Sequence, residues 1–123
     1  MKHLETNKFP AFKRYCKTLT LKEDAQLIKD YIRVHAPAAA WPEITAGMRE
    51  VGILDMEIYL LGSRLFMIME TVPDFDHDNA MKELAKKPRQ GEWEAYVSRF
   101  QQSSEEATAE EKWQLMERIY KLD

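Results

Sequence analysis

The spacing of apolar residues along the chain switches between alternation and helical periodicity, and each switch marks an element. Residues 14–21 (RYCKTLTL) alternate and are rich in β-formers, which predicts a first strand. Thr20 and Glu23 stand at capping-box spacing and open a helix that runs to about His35. Its apolar stripe is Leu27, Ile28, Tyr31, Ile32 and His35, one helical face. Pro37 stops it. Pro42 suits the first turn of a second helix, which carries Ile44, Met48 and Val51 and ends at Gly52. Alternation returns over residues 55–61: Met56, Ile58 and Leu60 point one way, Asp55, Glu57 and Tyr59 the other. Gly62-Ser63 is a hairpin turn, and residues 65–70 are the returning strand.

The second half shows no internal repeat of the first, but the same signals mark its elements. A polar helix is predicted over residues 75–86, opened by Asp74 or Asp76 and broken by Pro88. Residues 90–100 predict another, with Trp93, Tyr96, Val97 and Phe100 on one stripe. Residues 101–109 read as a polar loop, Thr108 and Glu111 cap one further turn, and residues 115–122 alternate as a last strand. Residues 1–10 are a polar, loose tail ending at Pro10.

The order β-α-α-β-β-α-α-β points to an α+β fold, an antiparallel sheet with helices on one face, close to the ferredoxin-like split βαβ pattern. The other face of that sheet carries Tyr59, Phe66 and Ile68 and needs cover. A second copy is the simplest cover, which predicts a symmetric homodimer. At 123 residues, of which 45% are apolar, residues 1–123 make one domain with one core.

Charge and composition narrow the partners. A net charge of −3, without a Lys/Arg run, argues against nucleic acid. No apolar stretch is long enough to cross a bilayer, so no membrane partner is expected. The N-terminus has no apolar segment of signal-peptide type, and a lone Cys16 forms no internal disulfide; the expected location is cytoplasmic. Cys16 reads as a buried strand residue with no His or Cys at ligand spacing, so no metal and no cofactor are called for.

Tyr31 and His35 place a phenol and an imidazole four residues apart on one helical face. Taken alone, such a histidine is more often a hydrogen-bonded core residue than a catalyst, and the Trp93 stripe is more often core than ligand wall. Trp41 reads as a packing anchor for the helix that Pro42 begins, and Glu43 serves the positive end of that helix. His3 and His77 lie in polar surroundings and take no role.

The ordered set is more informative than its parts. Tyr31-x-x-x-His35, Trp41-Pro42-Glu43, the strand after Gly52 with Ile58-x-Leu60, Leu65-Phe66-x-x-x-Glu70, Trp93-x-Ala95-Tyr96 and the chain end Lys121-Leu122-Asp123 together resemble the L-rhamnose mutarotase family, over about residues 14–123. The resemblance implies a dimeric α+β barrel that interconverts the anomers of a 6-deoxy sugar by general acid–base catalysis, without metal or cofactor. It implies that His35 is the catalytic histidine, that Tyr31 contacts the monosaccharide substrate, and that Trp93 is the first of two tryptophans lining the sugar site. Two positions depart from the family pattern: Glu94 replaces the second tryptophan, and Met56 stands where a strand tyrosine contacts the sugar. The link from His35 to Trp41 is also longer. The departures concern fit rather than chemistry, so L-rhamnose is placed narrowly first with L-fucose as the alternative.

Ring opening needs a base at the anomeric hydroxyl and an acid at the ring oxygen, with roles reversed on closure. A histidine, with an ordinary pKa of about 6.5, offers both forms near neutrality. Tyr31, with an ordinary pKa of about 10, suits hydrogen bonding or proton donation rather than base work. Glu57 and Glu70, at positions of opposite parity on their strands, are candidates for the second proton carrier. A non-catalytic sugar-binding module on the same fold, and an oxygenase with His35 as a haem ligand, are the competing readings.

Overall fold

Alternation in the sequence becomes a four-stranded antiparallel sheet in the order β2-β3-β1-β4. The strands are β1 (Lys13–Thr20), β2 (Ile53–Leu61), β3 (Arg64–Thr71) and a short β4 (Gln114–Leu115). Between them run α1 (Ala25–Val34), α2 (Pro42–Glu50), α3 (His77–Ala85), α4 (Gln90–Ser98) and the single turn α5 (Ala109–Lys112). The computed structural model describes residues 10–102 and 109–122. The predicted tail before Pro10, the Thr108–Glu111 cap and most of the 101–109 loop lie outside what is described.

This is the ferredoxin-like α+β layout that the element order predicts. Leu65, Met67, Met69 and Thr71 of β3 face inward, opposite Tyr15, Lys17 and Leu19 of β1. The helices cover this face through Tyr31, Val34, Met81, Leu84, Val97 and Phe100. Burying a side chain of this size is worth about 1.5–3 kcal/mol, so this shared layer holds sheet and helices together. The outer face carries Tyr59 paired with Phe66, and Ile68 paired with both Cys16 and Glu57. Cys16 is therefore half-buried on the outer face rather than a core residue.

β2 contains one irregularity with consequences. Ile53 pairs with Thr71 and Asp55 with Glu70, so Leu54 is an extra residue, a β-bulge. Beyond it Met56 pairs with Met69 and Ile58 with Met67, on the inner face. Across the Gly62-Ser63 turn, odd positions of β2 pair with even positions of β3, so Glu57 and Glu70 share the outer face despite their opposite parity in sequence.

Local chemistry explains most element boundaries, with three departures from expectation. The cap of α1 is Asp24, whose Oδ1 accepts from the backbone N–H of Gln26 and Leu27 at 2.9 and 3.0 Å; Thr20 remains in the strand. Ile32 lies off the packed stripe, 55% exposed, while Val34 is buried in its place. The last strand reaches only Leu115. The chain makes one more bond, Met116 N–H to Cys16 O, and then leaves the edge of β1, so the alternating residues 116–122 find no ladder to join among the described residues. Elsewhere Pro42 begins α2 and Asp76 caps α3, as expected. Gly52 turns α2 into β2 with φ of 104°, a left-handed conformation that glycine adopts without strain.

The end of α4 is stitched to the end of β1. Lys22 N–H donates to Phe100 O at 2.9 Å, Gln102 N–H donates to Thr20 O at 3.0 Å, and Leu21 bridges Gln101. These bonds fix α4 over the inner face of the sheet, where the candidate site lies.

Candidate active site

A cavity of about 580 Å³ opens between the inner sheet face and helices α1, α2 and α4. Tyr31 and His35 reach it from α1, Trp93 and Glu94 from α4, and Met56 from β2. The five residues singled out in the sequence thus converge on one space. Trp41 also lines it.

His35 closes α1 as its C-cap, so its ring folds back along the last turn. Its Nδ1 lies 2.8 Å from Tyr31 O. A carbonyl oxygen only accepts, so Nδ1 carries the proton, and in the neutral ring Nε2 is left as an acceptor. The imidazole packs against the Tyr31 ring at 4.2 Å and meets Trp93 edge-on at 5.3 Å. Crowding by these groups lowers its pKa, and the bond to Tyr31 O partly opposes that. The residue still keeps an exposed edge, as expected of a group at the cavity mouth, and water there limits the shift.

Tyr31 is buried. Burial raises its pKa well above the ordinary phenol value; a hydrogen bond with the Gln101 side chain opposes this, and the nearby Glu94 charge reinforces it. The hydroxyl therefore stays protonated.

An aromatic wall completes the mouth. Trp93 meets Trp41 edge-on at 5.2 Å, Trp41 stacks on Tyr96 at 5.7 Å, and Arg89 lies over the Trp41 ring at 4.2 Å. Arg89 also reaches Glu43 at 3.4 Å and Glu92 at 3.3 Å. Trp41 thus both anchors the start of α2 and walls the cavity.

Sequence reasoning missed the polar side of the cavity. Lys17, Gln90, Gln101 and Trp113 also line it. Gln90 donates through Nε2 to Glu94 Oε2 at 2.8 Å. Lys112, with its side chain wholly buried, places Nζ 2.6 Å from Glu94 O and 3.4 Å from Glu94 Oε1. Burial raises the Glu94 pKa, and Lys112 and Gln90 oppose the rise. Oε1 of Gln90 and Oε1 of Gln101 are buried without a hydrogen-bond partner among the described residues. The signals were present: Lys17 has the inward parity of Leu19, and Gln90 and Glu94 stand one helical turn apart beside Trp93.

Glu57 and Glu70 do not line the cavity. Glu70 pairs with Arg14 at 2.8 Å, and Glu57 accepts from the Tyr59 hydroxyl at 3.2 Å. The hairpin register is the reason, since the two-residue turn at Gly62-Ser63 sets odd positions of β2 and even positions of β3 together on the outer face.

The fold and this cavity define a small α+β protein in which an imidazole, a buried carboxyl group and an aromatic wall meet in one space. Comparison with known proteins gives the class a family. A family model described as L-rhamnose mutarotase matches residues 14–122. An L-fucose mutarotase of Xanthomonas campestris pv. campestris is 38% identical over 112 residues, covering 91% of this chain and 90% of that protein. A UPF0734 protein of Dictyostelium discoideum is 33% identical over 116 residues, covering 91% of each. The crystal structure of an L-rhamnose mutarotase from Formosa agariphila superposes with a TM-score of 0.67 over 90% of this chain and 99% of the other; at 15% identity this is a likeness of fold. The chain belongs to the L-rhamnose mutarotase family. It is a sugar mutarotase, an isomerase acting at the anomeric carbon. No helix among the described residues is long and apolar enough to cross a membrane.

Proposed function

We propose that the protein interconverts the α and β anomers of a 6-deoxy-L-hexopyranose, with L-fucose ahead of L-rhamnose and His35 as the base that opens the ring. The observation that carries this reading is the tautomer of His35. With Nδ1 bonded to Tyr31 O, Nε2 presents a lone pair at the cavity mouth beside Trp93. A sugar lying against Trp93 offers its anomeric hydroxyl to that nitrogen. Its apolar C–H surface meets the indole, a contact that asks for few polar partners.

The polar side of the cavity fits a polyol. An unpaired buried acceptor costs about 1–3 kcal/mol, and sugar hydroxyls supply the donors that Gln90 Oε1 and Gln101 Oε1 lack. Tyr31 keeps its proton and hydrogen-bonds rather than acting as a base.

The family name favours rhamnose, but two observations favour fucose. The relative at 38% identity is an L-fucose mutarotase. Met56 and Glu94, the two departures from the rhamnose pattern, both line the cavity. The sugars differ in the configuration of their ring hydroxyls, which such residues discriminate. A homodimer formed over the outer face, where Tyr59 is 40% exposed, is part of the same reading.

The test is anomer exchange by NMR saturation transfer, with purified protein added to L-fucose and L-rhamnose separately. The expected result is faster exchange with L-fucose than with L-rhamnose, lost in His35→Ala. A folded protein that binds either sugar but accelerates neither is a binding module, and the catalytic reading fails.

A further inference from the structure

Ring opening needs a second proton carrier, and the cavity restricts the choice. Glu57 and Glu70 face away. Asp55 lies at the rim, solvent-exposed, with Oδ1 already accepting from Met56 N–H at 2.9 Å. Tyr31 as the donor would leave a phenolate buried beside Glu94, where burial and that charge both oppose it. Glu94 remains. Its side chain is 12% exposed, it lines the cavity, and it follows Trp93, whose ring meets His35.

The carboxyl group is also held in place. Gln90 Nε2 bonds Oε2 at 2.8 Å. Lys112 spends its short bond, 2.6 Å, on the Glu94 main-chain carbonyl and stands 3.4 Å from Oε1. A close ammonium–carboxylate bond is about 2.7–2.9 Å, so this ammonium orients the group without pinning it as a permanent carboxylate.

We propose that Glu94 is the second proton carrier, giving its proton to the ring oxygen as His35 takes the proton of the anomeric hydroxyl. This rests on the mutarotase reading of the cavity. In the opening step His35 Nε2 gains the hydroxyl proton, the exocyclic oxygen forms the carbonyl, the bond from the anomeric carbon to the ring oxygen breaks, and Glu94 protonates that oxygen. The aldehyde turns about its bond to the next carbon. On closure Glu94 carboxylate takes the proton back as the ring oxygen attacks, and the imidazolium returns its proton to the carbonyl oxygen. Protons and electron pairs balance over the cycle, and both groups return to their starting forms.

Environment prepares both starting forms. Burial holds the imidazole towards neutral and the carboxyl towards protonated, so the two pKa values move towards each other and the working pair gains population. Glu94, where the family pattern has tryptophan, is then a change in the chemistry as well as in the fit.

The test compares the wild type with Glu94→Gln and Lys112→Met. Exchange is read by saturation transfer against pH, and sugar binding is titrated separately. Glu94→Gln is expected to lose about 10²-fold or more in exchange while still binding sugar. The wild-type profile is expected to fall on its alkaline side as Glu94 deprotonates. Removing the Lys112 ammonium raises the Glu94 pKa, so that limb moves to higher pH in Lys112→Met. Glu94→Gln that binds sugar and exchanges at the wild-type rate overturns the proposal. Should Glu94→Gln not fold, an alkaline limb that is absent, or unmoved by Lys112→Met, overturns it equally. Wild-type protein that accelerates neither sugar defeats the catalytic reading beneath it, a different result from a silent Glu94.

Discussion

His35 Nδ1 donates to the main-chain carbonyl of Tyr31, 2.8 Å away, so the tautomer of the imidazole is set by the backbone of α1. The phenol contributes a tilted ring contact at 4.2 Å but not the bond that orients the histidine. The two residues therefore separate on mutation. His35→Ala removes the base and is expected to cost about 10²–10⁴-fold in exchange rate. Tyr31→Phe keeps the carbonyl and the ring. It is expected to retain most of the maximal rate while losing about 1–3 kcal/mol of stability, because the Gln101 side chain is left without the hydroxyl. Saturation transfer and urea unfolding read the two effects independently.

Exchange should fall as the solution is acidified. The His35 pKa is lowered below 6.5 in the folded protein, so the neutral base persists through neutrality and is lost only below that value. Stability has the same sign. The unfolded state binds the proton first as pH falls, so the stability carried by neutral His35 is complete above about 6.5 and is lost as pH falls through the folded value. Urea midpoints at a series of pH values, wild type against His35→Gln, isolate this contribution. An unchanged slope in the variant counts against it.

Glu94 acts with the opposite sign. Its pKa is raised above 4.5, so the folded state holds the proton longer, and the stability this carries declines as pH rises from 4.5 through the folded value. Glu94→Gln should flatten that decline in the same urea series.

Gly52→Ala is expected to destabilise the fold by about 1–3 kcal/mol. Its φ is 104°, and a Cβ would sit 3.0 Å from Val72 Cγ2 and 3.3 Å from Phe75 Cδ1. Thermal unfolding checks this. A stability equal to wild type would mean that the α2–β2 turn relaxes freely.

Met56→Tyr restores the phenol of the rhamnose pattern at an inward position of β2. The ratio of kcat/KM for L-rhamnose over L-fucose is expected to rise by about 10-fold, the scale of one added side-chain contact. A ratio that stays fixed removes Met56 from the determinants of sugar choice.

Most of the fold was legible because period and punctuation agreed: Pro42, Gly52, Gly62 and Asp76 all mark real boundaries. The aromatic and basic groups of the site were legible for a related reason, since Tyr31, His35 and Trp93 sit on helical stripes that the core dictates. What the sequence hid depends on pairing or on distance along the chain. The capping spacing of Thr20 and Glu23 mimicked a helix start, but β1 claims Thr20 for its ladder, and Asp24 caps instead. Residues 115–122 alternate as a strand does, yet a strand exists only where a neighbour offers its hydrogen bonds. The Glu94–Lys112 pair joins residues 18 apart, on separate helices, which no periodicity connects.

Leu54 is an inserted letter that the ladder steps over, so the residues on either side of it keep one frame. Because it is taken up as a bulge, Ile53, Met56 and Ile58 all face inward. Paired as an ordinary ladder residue, Leu54 would put Ile53 on the face of Asp55 and Glu57, away from the core, whereas deleting Leu54 would leave an unbroken ladder with Met56 and Ile58 still inward. The make-up of the floor is thus decided by how one strand is paired as much as by its letters: the bulge adds Ile53 to the inward set that Met56 and Ile58 already form.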